Sequence, residues 1–146
     1  MCCKLVAMVK QQARMIGKRN GTGLLLVDGP PGIGCPVISA PSGADAAVVV
    51  SEPTASGVSD FRRIADLIAG FGIAGALLII KWDINADMTS ALEREARERG
   101  FECVGRIPYD EPLARAVAER IEAFGRLESP APLAIAESFE RVRDTS

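Results

Sequence analysis

Four apolar runs of strand length, separated by segments with helical periodicity, constrain the fold of this chain most strongly. The runs cover residues 23–28, 46–51, 76–80 and, more weakly, 101–107. Continuous apolar runs are typical of strands that are covered on both faces, as in parallel sheets. Strands that alternate with helices indicate βαβ units. The sequence therefore predicts an α/β fold with three layers and a mostly parallel sheet.

Five segments have the apolar spacing of helices. They cover residues 4–19, 55–70, 89–99, 111–124 and 132–143. In the third segment, Ser90 and Glu93 are a candidate capping box. In the fourth, Asp110 is a candidate N-cap and Pro112 lies in the first turn. No internal repeat and no second set of elements is visible, so we expect residues 1–146 to form a single domain.

The composition excludes several classes of function. The 146 residues have a net charge of −2, no histidine and four cysteines. The absence of histidine excludes Ser-His-Asp triads and histidine metal sites. The cysteines contain no CxxC pair, which argues against a zinc or iron–sulfur site within the chain and favours thiols in a reducing cytoplasm. The sequence has no long basic block of the kind that would predict nucleic-acid binding. No apolar run in it approaches the length of a membrane span.

The carboxyl ends of the predicted strands direct attention to four loops, because ligands bind there in open parallel sheets. The loops cover residues 28–36, 51–57, 81–87 and 107–112. In chain order they contain the motifs DGPPGIGCPV, SEPTASG, KWDIN and IPYDEP.

Together and in this order, the four motifs resemble those of the MinD/Mrp group of P-loop ATPases. More narrowly, the chain is similar to the MinD-type ATPases with an inserted ferredoxin domain, also described as cobyrinic acid a,c-diamide synthase-like. The resemblance extends from about Lys4 to Ile121. It implies a P-loop NTPase-like fold, and it implies ATP and magnesium as cofactors.

The resemblance assigns the first two loops to the phosphates. Asp28 would lie near the magnesium of bound ATP, through a water, while Pro31 and Gly32 would belong to the switch loop that senses the γ-phosphate. Glu52 and Thr54 would lie close to the phosphates. A carboxylate at a strand end can hold a hydrated hard cation, and glycine lets backbone amides approach an anion.

Structural roles for the same side chains stay open. Asp28 could instead cap the turn that follows it, with the prolines only shaping that turn. Thr54 or Ser56 could instead cap the next helix.

The resemblance assigns the other two loops to the base. Lys81 and Asp83 would line the base pocket, and Pro108 and Asp110 would form its second side. The family usually has asparagine before the lysine, whereas this chain has Ile80. An amide can pair with adenine through two hydrogen bonds and isoleucine cannot, so base selectivity is not predicted. Asp110 acting only as a helix N-cap is the structural alternative.

The central motif of the family is absent from this sequence. No G-x-x-x-x-G-K-[ST] occurs, and the glycine-rich segment 17–23 lies between a predicted helix and a strand, the reverse of the order that a P-loop needs. The chain thus resembles the C-terminal half of such an ATPase, without its first strand and P-loop. Because phosphoryl transfer depends on positioning and charge stabilisation, we expect no ATPase activity from this chain alone and at best weak nucleotide binding. No catalytic residue is assigned.

The missing strand also has a structural consequence. In the family it lies between the strands that match 23–28 and 46–51, and exposed apolar edges promote association. We therefore expect these two strands to pair directly, or a homo-oligomer or partner chain to cover the exposed surface.

A cytoplasmic location follows from the cysteines, and an iron–sulfur or redox client is conceivable from the resemblance. A catalytically inactive dimerisation or interaction module, and a fragment of a split or truncated ATPase, are the alternatives. Membrane binding through residues 132–144 is disfavoured, because helices that bind anionic lipid are usually basic and this segment carries three acidic groups against two basic ones.

Overall fold

The computed structural model describes residues 2–29, 43–122 and 128–145. The coordinates divide into two units, Met1–Ala44 and Asp45–Ser146, and each is described here by itself. The first unit contains helix α1 (Cys2–Asn20), which confirms the predicted first helix. The helix ends at Gly21, whose φ of +67° is a conformation that glycine adopts without strain. The expectation of a single domain stays a prediction.

The second unit alternates strands and helices as predicted. Its elements are β1 (Ala46–Ser51), α2 (Ala55–Gly70), β2 (Ala74–Ile80), a 3₁₀ turn (Trp82–Ile84), α3 (Ala86–Glu98), β3 (Glu102–Ile107), α4 (Glu111–Ala118) and α5 (Pro130–Thr145). The three strands are parallel and lie in the order β1-β2-β3. Three of the four predicted strands are therefore confirmed.

Helices α2 and α3 cover one face of this sheet. Leu77 and Ile79 of the central strand are fully buried beneath them, together with Phe61 of α2 and Leu92 of α3. The ring of Phe61 meets that of Phe101 edge to face, with 5.4 Å between the centroids. These aliphatic and aromatic contacts form the core that fixes where the strands end.

Helix α5 packs against β3 on the other face. A Cβ at Gly105 would overlap the side chain of Ser138, so glycine permits this close approach. The same Cβ would lie 3.1 Å from Leu78, which points away from the face occupied by Leu77. Helices therefore cover both faces, and the predicted three-layer α/β architecture with a parallel sheet is confirmed.

The predicted strand at residues 23–28 is wrong. Residues 24–29 carry no strand, and Leu26 is 78% exposed. An apolar run forms a strand only where its backbone groups find a neighbouring strand. Within the described residues the sheet consists of β1, β2 and β3, so the expected direct pairing of 23–28 with 46–51 is also absent.

Helix α3 begins earlier than predicted. Helix α3 begins at Ala86 because the side chain of Asn85 accepts a hydrogen bond from the amide of Met88 at 3.0 Å. Ser90 lies inside the helix and donates to the carbonyl of Ala86, so the predicted Ser90–Glu93 capping box is wrong.

Helix α4 is shorter than predicted. It ends at Ala118, and Arg120 then adopts a φ of +56°. Val117 is 67% exposed, so the apolar stripe predicted for this segment is not buried along its whole length. Phe124, the last member of that stripe, lies outside the described residues. Across the described part of the chain, no helix is both long and apolar enough to cross a membrane.

Candidate functional site

Three of the four predicted loops lie at one edge of the sheet. Residues 52–54 follow β1, residues 81–85 follow β2 and residues 108–110 follow β3. Because the strands are parallel and adjacent, their carboxyl ends bring the three loops together. We call this edge, formed by residues 52–54, 81–85 and 108–110, the carboxyl edge.

An ion pair joins the first two of these loops. The Nζ atom of Lys81 lies 2.6 Å from Oε1 of Glu52, and the two side chains are 41% and 42% exposed. Lys81 has a φ of +54° and a ψ of +38°, in the left-handed region that disfavours residues with a Cβ. A strained backbone that persists next to a ligand site is often part of the site's function.

A side-chain to backbone hydrogen bond joins the second and third loops. The backbone N–H of Tyr109 donates to Oδ1 of Asp83 at 2.8 Å. Asp83 is exposed. The carboxyl edge is thus held together by Lys81–Glu52 on one side and Asp83–Tyr109 on the other.

The backbone around Trp82 is fixed by its neighbours. The carbonyl of Trp82 accepts a hydrogen bond from the hydroxyl of Thr89 at 2.8 Å. The guanidinium of Arg106 lies 5.8 Å from the centroid of the Trp82 ring, and Glu93 holds that guanidinium through contacts of 2.5 and 2.8 Å. Trp82 therefore contacts Arg106 of β3 through its ring and Thr89 of α3 through its carbonyl.

Thr54 is the N-cap of α2. Its hydroxyl oxygen accepts a hydrogen bond from the amide of Gly57 at 2.9 Å, which confirms the structural alternative for this residue. A Cβ at Gly57 would overlap the carbonyl oxygen of Glu52, so glycine allows the loop to fold back on the helix. A contact between Thr54 and phosphate stays a prediction.

Asp110 is the N-cap of α4, as its structural alternative proposed. One carboxylate oxygen accepts from the amide of Leu113 at 2.8 Å, and the other accepts from the amide of Ala131 at 3.1 Å. The hydrogen bond from Leu113 is the main cause that holds the pKa of Asp110 below its usual value. The side chain is buried and ties the third loop to the start of α5. A contact between Asp110 and a base stays a prediction.

The remaining predicted residues occupy less specific positions. Pro108 is half-buried directly after β3, and Ile80 is half-buried at the end of β2. Asp28 belongs to the first unit, where it is exposed in a segment without regular structure. Pro31 and Gly32 lie outside the described residues. The assignment of Asp28, Pro31 and Gly32 to magnesium and phosphate therefore stays a prediction.

The carboxyl edge carries more acidic than basic groups. Glu52, Asp83 and Asp110 stand against Lys81 within the three loops. A bare triphosphate would meet repulsion there, and a divalent cation would lower that repulsion by cancelling part of the phosphate charge. Sequence reasoning identified these residues singly but missed the two links between loops. No local pattern signals them, because the partners are 29 and 26 residues apart.

Comparison with solved structures relates the whole chain to MinD proteins. The MinD cell division protein of Aquifex aeolicus matches with a TM-score of 0.78 at 22% identity, over 97% of this chain and 61% of that one. The cell division ATPase MinD of Pyrococcus furiosus matches with a TM-score of 0.77 at 19% identity, over 100% and 60%. A MinC:MinD complex of Aquifex aeolicus gives a TM-score of 0.77 at 22% identity.

Comparison with known sequences adds a further relative. No family model matches the chain. An uncharacterized protein of Methanocaldococcus jannaschii is 27% identical over 118 residues, which are 81% of this chain and 38% of that protein. The chain thus spans about three fifths of the MinD structures it matches and less than two fifths of this relative. What the comparisons show is the fold: the chain has the P-loop NTPase-like α/β fold of MinD proteins.

Proposed function

We propose that this chain is a nucleotide-binding domain of the MinD/Mrp type, which binds ATP with magnesium at the carboxyl edge and does not hydrolyse it alone. The observation that carries the proposal is the pair of links, Glu52–Lys81 and Asp83–Tyr109, that joins three motif-bearing loops at one edge of the sheet. Ligands of open parallel sheets bind at this edge. The fold shared with a cell division ATPase supports ATP as the ligand.

The proposal divides the edge into a phosphate side and a base side. Glu52 and Thr54 form the phosphate side of this edge, and Lys81, Asp83, Pro108 and Asp110 form the base side. The assignment of Asp28, Pro31 and Gly32 to magnesium and phosphate stays what the resemblance implies. Because both carboxylate oxygens of Asp110 already accept backbone hydrogen bonds, this residue contributes by holding its loop in place. Asp83 is exposed, and its carboxylate would be the acceptor that a nucleotide reaches.

The donor set fits a magnesium ion that arrives with the nucleotide. Among the described residues, no group of three or more acidic or cysteine side chains could hold a metal by itself. Magnesium bound to phosphates needs only one or two carboxylates and keeps several waters. At the carboxyl edge Glu52 would face the ion, whose charge would offset the acidic groups there. Asp28, through a water, stays the metal residue that the resemblance implies.

A titration with labelled ATP tests this function. With magnesium, the chain is expected to bind ATP more weakly than micromolar, to lose that binding in EDTA and to release no phosphate. Lys81→Gln should weaken binding, while Lys18→Gln, a matched change on the exposed face of α1, should not. Absence of binding at millimolar ATP would refute the nucleotide function. Micromolar affinity or steady phosphate release would refute the proposed inactivity.

A second candidate function, a dimerisation or interaction module, is favoured by exposed apolar surface. Val48 and Val50 of β1 are 37% and 56% exposed, and the segment 24–27 is exposed throughout. A homo-oligomer or partner chain would cover the exposed face of β1, and one structural neighbour is itself in a complex, that of MinC with MinD. An alternative within the first proposal is that the chain acts as a fragment of a split or truncated ATPase.

Light scattering during gel filtration tests the interaction module. The expected result is an oligomer. Val50→Lys should dissociate it, whereas Arg62→Ala, a change on helix α2 at the opposite face of the sheet, should leave it intact. A monomer at tens of micromolar would contradict self-association and leave a different partner chain as the covering molecule. The proposal carries with it a cytoplasmic location and allows an iron–sulfur or redox protein as the client.

A further inference from the structure

Trp82 lies between the two residues that link the loops of the carboxyl edge. Lys81 on one side pairs with Glu52 of the first loop, at 2.6 Å. Asp83 on the other side accepts a hydrogen bond from the backbone N–H of Tyr109 in the third loop, at 2.8 Å. Because the three residues share one short stretch of backbone, a change in the orientation of Trp82 displaces both links together.

The ring of Trp82 is held from strand β3. The guanidinium carbon of Arg106 lies 5.8 Å from the ring centroid, within the distance at which a cation attracts the face of an indole. The backbone of Trp82 has a separate attachment, since its carbonyl accepts a hydrogen bond from the hydroxyl of Thr89 at 2.8 Å. The residue is only half-buried, so contact with the guanidinium adds to packing in fixing the ring.

Glu93 of helix α3 orients that guanidinium. The Nε and Nη2 atoms of Arg106 donate to the two carboxylate oxygens of Glu93 at 2.5 and 2.8 Å. Two parallel hydrogen bonds fix the plane of a guanidinium as well as its position. The side chain of Glu93 is 16% exposed and that of Arg106 is 49% exposed, so the carboxylate is the better anchored partner. Glu93 therefore holds Arg106, and Arg106 holds the Trp82 ring.

We propose that Arg106, fixed by Glu93, is a positioning residue for the carboxyl edge. Its guanidinium holds the ring of Trp82 and thereby the turn that carries both links between the loops. Neither Glu93 nor Arg106 belongs to the four loop motifs, so this chain of contacts starts outside the loops. The effect on nucleotide affinity rests on the proposed function, whereas the effects on the Trp82 ring and on the Tyr109 amide do not.

Fluorescence of the full chain tests the hold on the ring. Trp82 is the one tryptophan of the sequence, so quenching of its emission by acrylamide reports on this ring alone. Arg106→Gln and Glu93→Gln should both raise the quenching constant, although the second variant changes no atom of Trp82 or Arg106. Arg106→Lys keeps the charge but cannot make the forked pair, so its quenching constant should fall between those of wild type and Arg106→Gln.

Two further readouts measure the carboxyl edge itself. Hydrogen exchange of the Tyr109 amide, whose acceptor is Asp83, needs no ligand. It should be faster in Arg106→Gln than in wild type by roughly two- to fivefold. The affinity for ATP with magnesium should fall by about the same factor, which corresponds to the free energy of an exposed cation–π contact.

Arg62→Gln is the matched control. The Arg62–Glu95 pair joins α2 to α3 at 2.8 Å, and its side chains are 53% and 15% exposed, close to the values of the Arg106–Glu93 pair. Its loss removes a comparable ion pair from the same helix and should change none of the three readouts. Circular dichroism melts establish the temperature below which every variant is folded, and all readouts are taken there.

Two outcomes would overturn the inference. Unchanged quenching in both Arg106→Gln and Glu93→Gln, or an equal rise in Arg62→Gln, refutes the hold on the ring. Raised quenching without faster exchange of the Tyr109 amide means that the ring does not position the edge, and the inference fails.

The remaining outcomes separate the inference from the proposed function. If wild type binds no ATP at millimolar concentration, the proposed function fails, while the quenching and exchange measurements still decide the inference. If exchange of the Tyr109 amide is faster in Arg106→Gln but ATP affinity is unchanged, the positioning role stands and the nucleotide site lies away from the carboxyl edge.

Discussion

Lys81 should show its backbone strain in a comparison of two substitutions. Both Lys81→Ala and Lys81→Gly remove the ammonium group and hence the 2.6 Å ion pair with Glu52. Because both partners are about two fifths exposed, that loss costs about 0.2–1 kcal/mol in either variant. Only the glycine variant also relieves the left-handed conformation, φ +54° and ψ +38°.

The difference between the two variants can be worked out from three quantities. For a residue with a Cβ, the left-handed region is less favourable by about 1–2 kcal/mol of conformational free energy. Glycine also lowers the free energy of unfolding by about 0.4–1 kcal/mol relative to alanine, because the unfolded chain has more conformational freedom with glycine. The ion-pair loss is common to both and cancels. We therefore expect Lys81→Gly to be more stable than Lys81→Ala by roughly 0.8 kcal/mol.

Urea denaturation followed by circular dichroism measures this difference. The free energy of unfolding should fall with urea concentration at the same slope in both variants, and their unfolding midpoints should differ. Lys81→Ala itself should fall below the wild type by no more than about 1 kcal/mol. Equal stability of the two variants, or a more stable alanine variant, would refute strain at Lys81 and with it the argument that the carboxyl edge holds a constrained residue.

Three further predictions concern the same edge. Thr54→Ala should destabilise the chain by about 1 kcal/mol in urea denaturation because the amide of Gly57 loses its acceptor, while Thr54→Ser should not. Equal losses in both would contradict the cap. Ile80→Asn should raise the preference for ATP over GTP by roughly tenfold in competition binding, since an amide can pair with adenine; an unchanged ratio would place Ile80 away from the base. Asp110→Asn should be less stable than wild type at neutral pH, and the gap should close in acid denaturation. The amide of Leu113 lowers the pKa of Asp110 below 3.8, so the stabilisation is present above that value and is lost as the pH falls through the lowered pKa. A gap that stays constant down to low pH would argue against an ionised cap.

The strands of the second unit could be predicted because their apolar runs alternate with helices whose apolar stripes pack against the sheet. The run at 23–28 has the same composition, and its failure to form a strand has a physical cause. Hydrophobicity specifies that a segment tends to be buried, but only a hydrogen-bonded neighbour makes it a strand. That neighbour is a property of the whole sheet, which a local pattern does not contain.

Helix caps could be predicted where a side chain of the capping type stands directly before an apolar stripe. Asp110 and Thr54 are side chains of the right type directly before an apolar stripe, and both cap their helices. Asn85 also caps its helix, but it lies inside the KWDIN motif, whose match to a loop of the family does not indicate a helix start. Ser90, a better match to the capping-box pattern, is one turn too late.

The links of the candidate site could not be predicted from the sequence. Glu52 and Lys81 are separated by 29 residues, and their pairing depends on the adjacency of β1 and β2. The left-handed backbone of Lys81 has no signature, because lysine has no preference for that region. Sequence patterns thus identified which loops carry polar groups, whereas the parallel sheet determines which groups meet.

The most direct test of the account is a backbone amide NMR titration of the labelled chain with ATP and magnesium. We expect chemical-shift changes that saturate together in residues 52–54, 81–85 and 108–110, with smaller changes around Gly72 and Gly100, where the chain enters β2 and β3 from the opposite end. Changes concentrated at those two glycines, or none at millimolar ATP, would contradict a nucleotide site at the carboxyl edge.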